Sequence, residues 1–236
     1  MSHRRASDLS AAERAEILRH SEVGPCLPEE TLALLAEGSE AVDYRRRRFI
    51  YRMGDTADAL YCIARGRIKI CLIDGVTARE AVIDIVGQGA LFGESSLYSA
   101  GVREKCAVAY EQARLLKIPA GVYREGMAAS RELYDYTFRM VGQRLSRAER
   151  RVADFALDAI PARLDKLLAD LSERYGRREA EGVLIDLPLP HREIASIVGS
   201  TRESVTVRLN ALKRAGIIDF VDRKILIKTP TATAAV

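Results

Sequence analysis

Within the segment HREIASIVGSTRESVTVRLNALKRAGII, His191 to Ile218, a handful of side chains have the chemistry to read a base pair. Arg202 offers a fork of donors suited to guanine O6 and N7, Glu203 is an acceptor for cytosine N4, and Val207 matches a thymine methyl. If the stretch is a helix, Arg202, Thr206 and Asn210 repeat every four residues, with Glu203 and Val207 alongside. All of them then face away from Val205, Leu209 and Leu212. Arg192, Ser200, Thr201 and Arg208 complete the expected DNA-binding set. A small helical hairpin closing off a larger domain would also carry a polar face, so the reading depends on the surrounding elements.

Base reading needs two tightly joined helices with an apolar inner face. In a helix-turn-helix the first helix crosses the DNA backbone and the second enters the major groove. The segment supplies Ile194, Ala195 and Val198 before Gly199, then Val205, Leu209 and Leu212 after it. Gly199 stands where the turn calls for a residue tolerant of positive φ, and Ala195 is small enough for close helix approach. Thr201 should cap the second helix, although Ser204 occupies the place where a full capping box has Glu or Gln. Upstream, ARLDKLLADLSERYG reads as a helix begun after Pro161 and closed by Gly176, and REAEGVLIDLPLP as a polar turn followed by a strand. Downstream, GIIDFVDRKILIKT gives two short strands around a turn near Asp222. Helix, strand, two helices and a β-hairpin make a winged helix-turn-helix. From His191 onward eight Lys and Arg face four Asp and Glu, the positive excess that phosphate neutralisation requires. A solvated basic surface without a partner has the same composition.

The 236 residues, 48% hydrophobic and 30% charged, suit a soluble globular protein of one or two domains. No apolar run approaches the roughly 20 residues of a membrane helix and no secretory signal opens the chain, so a cytoplasmic location away from membranes is expected. Cys26, Cys62, Cys71 and Cys106 form no C-x-x-C pair, which argues against a zinc site or a disulfide framework and for buried thiols. AAERAEILRH and EETLALLAEG predict short N-terminal helices. From about Ala41 to Pro119, short β-rich runs divided by glycines predict an antiparallel sandwich or barrel. In RIKICLI, alternation places Ile68, Ile70 and Leu72 on one face and Lys69 and Cys71 on the other. The basic run Arg45 to Arg48 reads as a solvated strand edge. From Gly121 to Asp158 the texture is helical, and Phe138, Val141, Leu145, Ala148, Val152 and Phe155 recur at spacings of three and four, the a/d seam of a coiled coil. So narrow a stripe suits pairing with its twin in a homodimer, with packing inside one chain as the alternative. The expected class is α+β, with N-terminal helices and a β-domain over 1–125, a dimerisation helix over 126–159 and the DNA-binding domain over 160–236.

Three stretches, GDTADALYCIARGRIKI (Gly54 to Ile70), GQGALFGESSL (Gly87 to Leu97) and REIASIVGSTRESV (Arg192 to Val205), resemble the CRP/FNR family of bacterial transcription regulators. The likeness runs from about Ser21 to Ile227. It implies a cyclic-nucleotide-binding-type β-roll, a long dimerisation helix and a winged helix-turn-helix, in that order. It further implies a homodimer on a pseudo-palindromic operator in double-stranded DNA, RNA polymerase as a partner, and a small effector in the β-roll that shifts the dimer between states. By the same resemblance the effector-pocket residues are Gly93, Glu94, Ser95, Arg103 and Glu104.

Family members that bind cyclic AMP use a Gly-Glu pair, matched by Gly93 and Glu94, and an Arg-Ser pair on the phosphate, which here falls on Arg103 and Glu104. A carboxylate beside a phosphate repels it, and Ala148 and Glu149 stand where adenine-binding hydroxyls would lie. A standard cyclic AMP site is therefore not expected, and the cofactor is left open. Arg202 and Glu203 match the family's base-reading pair, but Val207 replaces the arginine of a TGTGA-type half-site, so a related, altered half-site is expected. Cys26 stands alone where iron-sulfur members carry several cysteines, and His20 and Cys62 are remote haem ligands. No metal, haem or cluster is expected. GESSL misses the G-x-S-x-G elbow and GQGALFG misses G-x-G-x-x-G, so the chain is not expected to be an enzyme. The rival is a nucleotide-responsive module acting through protein partners, which would not need the basic C-terminal reader. Core thiols are the expected reading of the cysteines, since a thiol switch at Cys106 would need a partner that the sequence does not show.

Overall fold

A reciprocal capping box opens the first helix, α1 (Ala11–Arg19): Ser10 Oγ accepts the Glu13 N–H and the Glu13 carboxylate accepts the Ser10 N–H. The computed structural model describes residues 4–5, 9–98 and 101–229. The chain divides into two units, Met1–Arg147 and Ala148–Val236.

In the first unit, β1 (Arg4–Arg5) precedes α1, and a 3-10 turn (Gly24–Cys26) leads to α2 (Glu29–Glu37). Eight further strands follow: β2 (Glu40–Tyr44), β3 (Phe49–Tyr51), β4 (Ala59–Arg65), β5 (Ile68–Ile73), β6 (Glu80–Val86), β7 (Leu91–Phe92), β8 (Cys106–Ala109) and β9 (Ala113–Pro119). The one-turn α3 (Ser95–Tyr98) lies between β7 and β8. The strands form two antiparallel sheets, ordered β1-β2-β9-β4-β7 and β3-β8-β5-β6, as the glycine-punctuated β-runs predict. One core, between the sheets, holds Tyr51, Tyr61, Ile63, Ile68, Phe92 and Leu115. Another, on the helical side, gathers Leu18, Leu35, Leu60, Cys62, Leu116 and Tyr123. β4 and β9 supply alternate residues to both cores, which explains their nearly unbroken apolar character. Arg45 to Arg48 form an exposed turn between β2 and β3.

In β5 burial does not follow the alternation of faces. Ile68 and Ile70 pack on the core between the sheets as the alternation predicts, but Lys69 and Cys71 on the opposite face are buried as well, and Leu72 is exposed. The Lys69 ammonium is compensated by the Glu80 carboxylate.

α4 (Ala120–Ala129) and α5 (Arg131–Leu157) are separated by Ser130, which is extended (φ −125°, ψ 116°). Its Oγ accepts the Leu133 N–H at 3.1 Å, so the long helix starts at Arg131 rather than at 126. Leu133, Thr137 and Met140 are buried along one side of α5. On another side the predicted seam lies bare: Phe138 is 73% exposed, Leu145 60% and Val152 68%.

The second unit holds α6 (Ile160–Tyr175), with Pro161 in its first turn where no backbone bond is lost, then β10 (Gly176–Glu179) and β11 (Gly182–Ile185). α7 (His191–Val198), α8 (Arg202–Arg214), β12 (Ile218–Val221) and β13 (Lys224–Lys228) follow. The sheet order is β10-β11-β13-β12. β10 goes beyond the sequence reading, because GRRE is fully exposed and has no apolar alternation to betray a strand. Among the described residues, no helix is long and apolar enough to cross a membrane.

An exposed stripe of large apolar side chains on a 27-residue helix is a surface that a partner would cover, and the coiled-coil spacing makes a second copy of the same stripe the expected one. Leu145→Glu should convert a dimer into a monomer by light scattering while leaving the thermal unfolding of the first unit nearly unchanged, since Leu145 touches solvent in the single chain. A dimeric L145E protein would remove the seam from the interface.

Candidate functional site

The turn between α7 and α8 is fixed from three directions. Gly199 is left-handed (φ 64°, ψ 51°) and its N–H donates to Ala195 O. A Cβ there would stand 2.6 Å from Phe155 Cε1, so the position excludes a side chain on packing as well as on backbone grounds. Thr201 is extended, and its Oγ1 accepts the Ser204 N–H at 3.2 Å, the partial cap the sequence predicts. Phe155 therefore does more than line a seam: its ring lies against the turn, with the Arg163 guanidinium 4.8 Å from the ring centroid.

Val205, Leu209 and Leu212 bury one side of α8 against Ile194, Ala195 and Val198 of α7, and Arg202, Glu203, Val207 and Asn210 are left exposed. Val207 is 68% exposed, a large apolar side chain offered to solvent on the face where base contacts are expected. Arg192 and Thr201 are exposed as well, whereas Ser200 is half-buried and its Oγ has no hydrogen-bond partner.

Two of the predicted readers are committed elsewhere. The Thr206 hydroxyl donates to Arg202 O at 2.8 Å and meets His191 Nδ1 at 2.8 Å, so it ties α8 to the start of α7. Arg208 donates through Nη2 to Asp165 of α6 at 2.7 Å and is turned from the exposed face. His191, which the sequence reading passed over, packs its ring near Phe220 of the wing. Burial, and secondly the nearby Arg202 charge, hold its imidazole below the ordinary histidine range. The wing turn places Asp222 and Arg223 at φ 48° and 66°, the left-handed pair of a tight two-residue hairpin. Asp219 is held down to about 2, chiefly by its hydrogen bond from Lys213 and then by the Phe220 N–H.

In the first unit, of the residues assigned to the effector pocket, Arg103 meets Gly93 and Glu94 is engaged from α5. Arg103 is 1% exposed and donates through Nη1 to Gly93 O at 3.0 Å and through Nη2 to Ala59 O at 2.6 Å. Its guanidinium lies 4.2 Å from the Tyr51 ring centroid, beside the stacked pair Tyr61 and Phe92, and its Nε has no hydrogen-bond partner. Gly93 is left-handed (φ 87°), and a Cβ would approach Ala59 O, Arg103 Nη1 and the Tyr61 ring within 3.3 Å. Glu94 is buried and accepts from the Arg144 guanidinium of α5, with Lys105 at 4.0 Å. Burial pushes its carboxyl up, but Arg144 and Lys105 outweigh it and hold the group below the usual carboxylate range. Arg144 also donates to Leu91 O. Ser95 is buried at the start of α3, and Glu104 is exposed.

Arg144 is the residue the sequence reading missed. Its signal is a second stripe on α5, Leu133, Thr137, Met140 and Arg144, at helical spacing beside the coiled-coil seam.

Residues 41–130 match the cyclic nucleotide-binding domain family and residues 162–232 the Crp-like helix-turn-helix domain family. The chain is 28% identical over 214 residues to the CRP-like cAMP-activated global transcriptional regulator of Mycobacterium tuberculosis (strain ATCC 25618 / H37Rv), which spans 90% of this chain and 94% of that protein. A CRP/FNR-family transcriptional regulator from Thermus thermophilus superposes with a TM-score of 0.62 at 26% identity, covering 80% of this chain and 94% of that one. The c-di-GMP-responsive global regulator CLP of Xanthomonas campestris shares the fold, with a TM-score of 0.73 at 22% identity over 86% of this chain and 100% of that one.

Glu94→Gln should leave Arg144 facing the roll without its carboxylate and destabilise the first unit by about 2–3 kcal/mol in urea unfolding at neutral pH, somewhat under the cost of breaking a fully buried pair. Because the folded carboxyl is held below its unfolded value of 4.5, the stabilisation is complete above that value and is lost as pH falls through the lower, folded one. The gap between wild type and E94Q should therefore close on acidification; equal stability at pH 7 would leave the pair without energetic weight. Gly199→Ala should cost roughly 1–3 kcal/mol in the second unit, since it adds left-handed strain to the clash with Phe155. An unchanged unfolding midpoint would show that the turn yields freely.

Proposed function

Because the chain belongs to the CRP/FNR family of DNA-binding transcription regulators, we propose that it works as a homodimer that sets two copies of α8 into successive major grooves of a pseudo-palindromic operator. The observation that carries this reading is the bare face of α8, where Arg202, Glu203, Val207 and Asn210 stand exposed on a helix held by a glycine turn and a threonine cap. Arg202 reads guanine, Glu203 takes the cytosine amino group, and Val207 packs on a thymine methyl. Arg208 does not replace the arginine missing at 207, because Asp165 already holds it. Arg192, exposed on α7, is suited to a phosphate, and such contacts fix the register of the helix in the groove. RNA polymerase is the further partner through which a bound regulator of this kind acts.

The β-roll as it stands does not fit a cyclic nucleotide. Arg103, the buried cation assigned to its phosphate, is spent on two backbone carbonyls and the Tyr51 ring, and Glu94 is spent on Arg144. These internal bonds favour a protein that is competent to bind DNA without an effector, unlike the cAMP-activated relative.

Selection from random duplex DNA by the ligand-free protein at about 0.15 M salt should recover a pseudo-palindrome with half-site centres about 10 base pairs apart. Arg202→Ala should cost about 1–3 kcal/mol in operator affinity and relax one base position in each half-site. Val207→Arg should move the preference at its position towards guanine, and cyclic AMP should leave wild-type affinity unchanged. Recovery of sequence-independent, salt-sensitive binding alone from the ligand-free protein would overturn the reading.

A further inference from the structure

Cys71 on β5 and Cys106 on β8 are directly opposed register partners. The pairing runs unbroken from Ile68 and Ala109 to Cys71 and Cys106, so the two side chains leave the sheet on the same face. Tyr110 donates its N–H to Arg67 O at 2.9 Å, which makes those two a hydrogen-bonded pair. Stepping by two residues along the register, Lys69 with Val108 and then Cys71 with Cys106 are pairs of the same kind. Such pairs hold their Cα atoms about 5.5 Å apart, inside the roughly 4.4–6.8 Å that a disulfide spans, and their Cβ atoms wider than its usual roughly 3.5–4.5 Å, so closing the bond pinches the two strands together. Both residues carry thiols and both are buried. The remaining two cysteines are placed differently: Cys62 lies on β4 of the other sheet, and Cys26 lies in the turn before α2.

We propose that Cys71 and Cys106 are a redox-sensitive pair that closes to a reversible cross-strand disulfide when the protein meets a hydroperoxide. The Cys106 thiolate attacks a peroxide oxygen, the O–O bond breaks, and the departing hydroxide takes up a proton and leaves as water. Cys106 is then a sulfenic acid. The Cys71 sulfur attacks the sulfenic sulfur, the S–S bond forms, and the displaced hydroxide leaves as a second water with the proton given up by Cys71. Two electrons pass from the thiol pair to the peroxide, and a dithiol reductant reverses the bond by exchange.

Access comes through β3. The Cys106 Sγ accepts the N–H of Met53, which is 52% exposed, at 3.4 Å. β3 is a three-residue edge strand whose pairing with β8 shifts register between Phe49 and Tyr51, and opening of the exposed Met53 segment just beyond it is the route to Cys106. The bond would staple β5 to β8 three residues from Arg103, fixing the segment that delivers the buried guanidinium to Gly93 and Ala59. This pair is independent of the DNA-binding reading.

The test treats the folded full-length chain with hydrogen peroxide, traps remaining thiols by alkylation, and maps the product by mass spectrometry. The expected result is the loss of two hydrogens from the intact chain, a linked peptide pair joining Cys71 to Cys106, and its disappearance on adding dithiothreitol. C26S should keep the link, and C71S or C106S should lose it. The wild-type and C26S maps decide the matter even if a core variant folds poorly. A link through Cys26 or Cys62, oxidation of Cys106 to sulfinic acid without a link, or four thiols surviving the peroxide would each overturn the proposal.

Discussion

The Glu94 carboxylate sits almost out of water and stays ionised because the Arg144 guanidinium reaches it from α5. Removing a carboxylate from solvent costs several kcal/mol unless an opposite charge and hydrogen bonds meet it. That requirement dictates where the first half of α5 runs: Leu133, Thr137 and Met140 must lie on the roll side of the helix for Arg144 to arrive at the loop after β7. Arg103, another buried charge, is accommodated without a close carboxylate. Two carbonyl oxygens and an aromatic face surround it, and Asp58 lies at the 3.9 Å limit of an ion pair. Both solutions converge on Gly93, whose carbonyl accepts from Arg103 and from the Ser96 hydroxyl and whose α-carbon has no room for a substituent.

What the sequence reveals and what it hides follows from the range of each interaction. The seam on α5 and the two helices of the DNA reader are written in spacings of three and four residues, and both are present in the fold. The glycine turn and threonine cap are equally local signals. Alternation in β5 gives the two faces but not their cover: Lys69 and Cys71 leave the strand opposite Ile68 and Ile70 and are nonetheless buried. β10 is charged and exposed and leaves no pattern at all. The Arg144–Glu94 pair joins residues 50 apart, and the Cys71–Cys106 pairing depends on a strand order in which β8 lies between β3 and β5. Neither relation has a local signature.

Within the second unit, the polar face predicted for α8 separates into two kinds of work. Thr206 and Arg208 carry polar groups that hold the helix in place, against His191 and Asp165. Arg202, Glu203, Val207 and Asn210 have no such duty and remain outside. Simple periodicity places Thr206 with Arg202, Glu203, Val207 and Asn210, but sets Arg208 on the other side of the helix, beside Val205 and Leu212. A long arginine at 208 bends to a carboxylate on α6, and a short threonine at 206 finds a carbonyl one turn back.

The seam and the ion pair are neighbours on one helix, which gives α5 a constraint stronger than either alone. Arg144 and Leu145 are consecutive, so their side chains leave the axis about 100° apart, at a fixed offset set by the 3.6-residue turn. Val141, packed at the margin of the helical-side core, lies between the two stripes. α5 cannot turn to bury Leu145 against the roll without withdrawing Arg144 from Glu94 and leaving a carboxylate stranded. The cost of that stranded charge keeps the apolar stripe outward. In a single chain this is an uncovered hydrophobic surface, and its direction is set by the ion pair beside it.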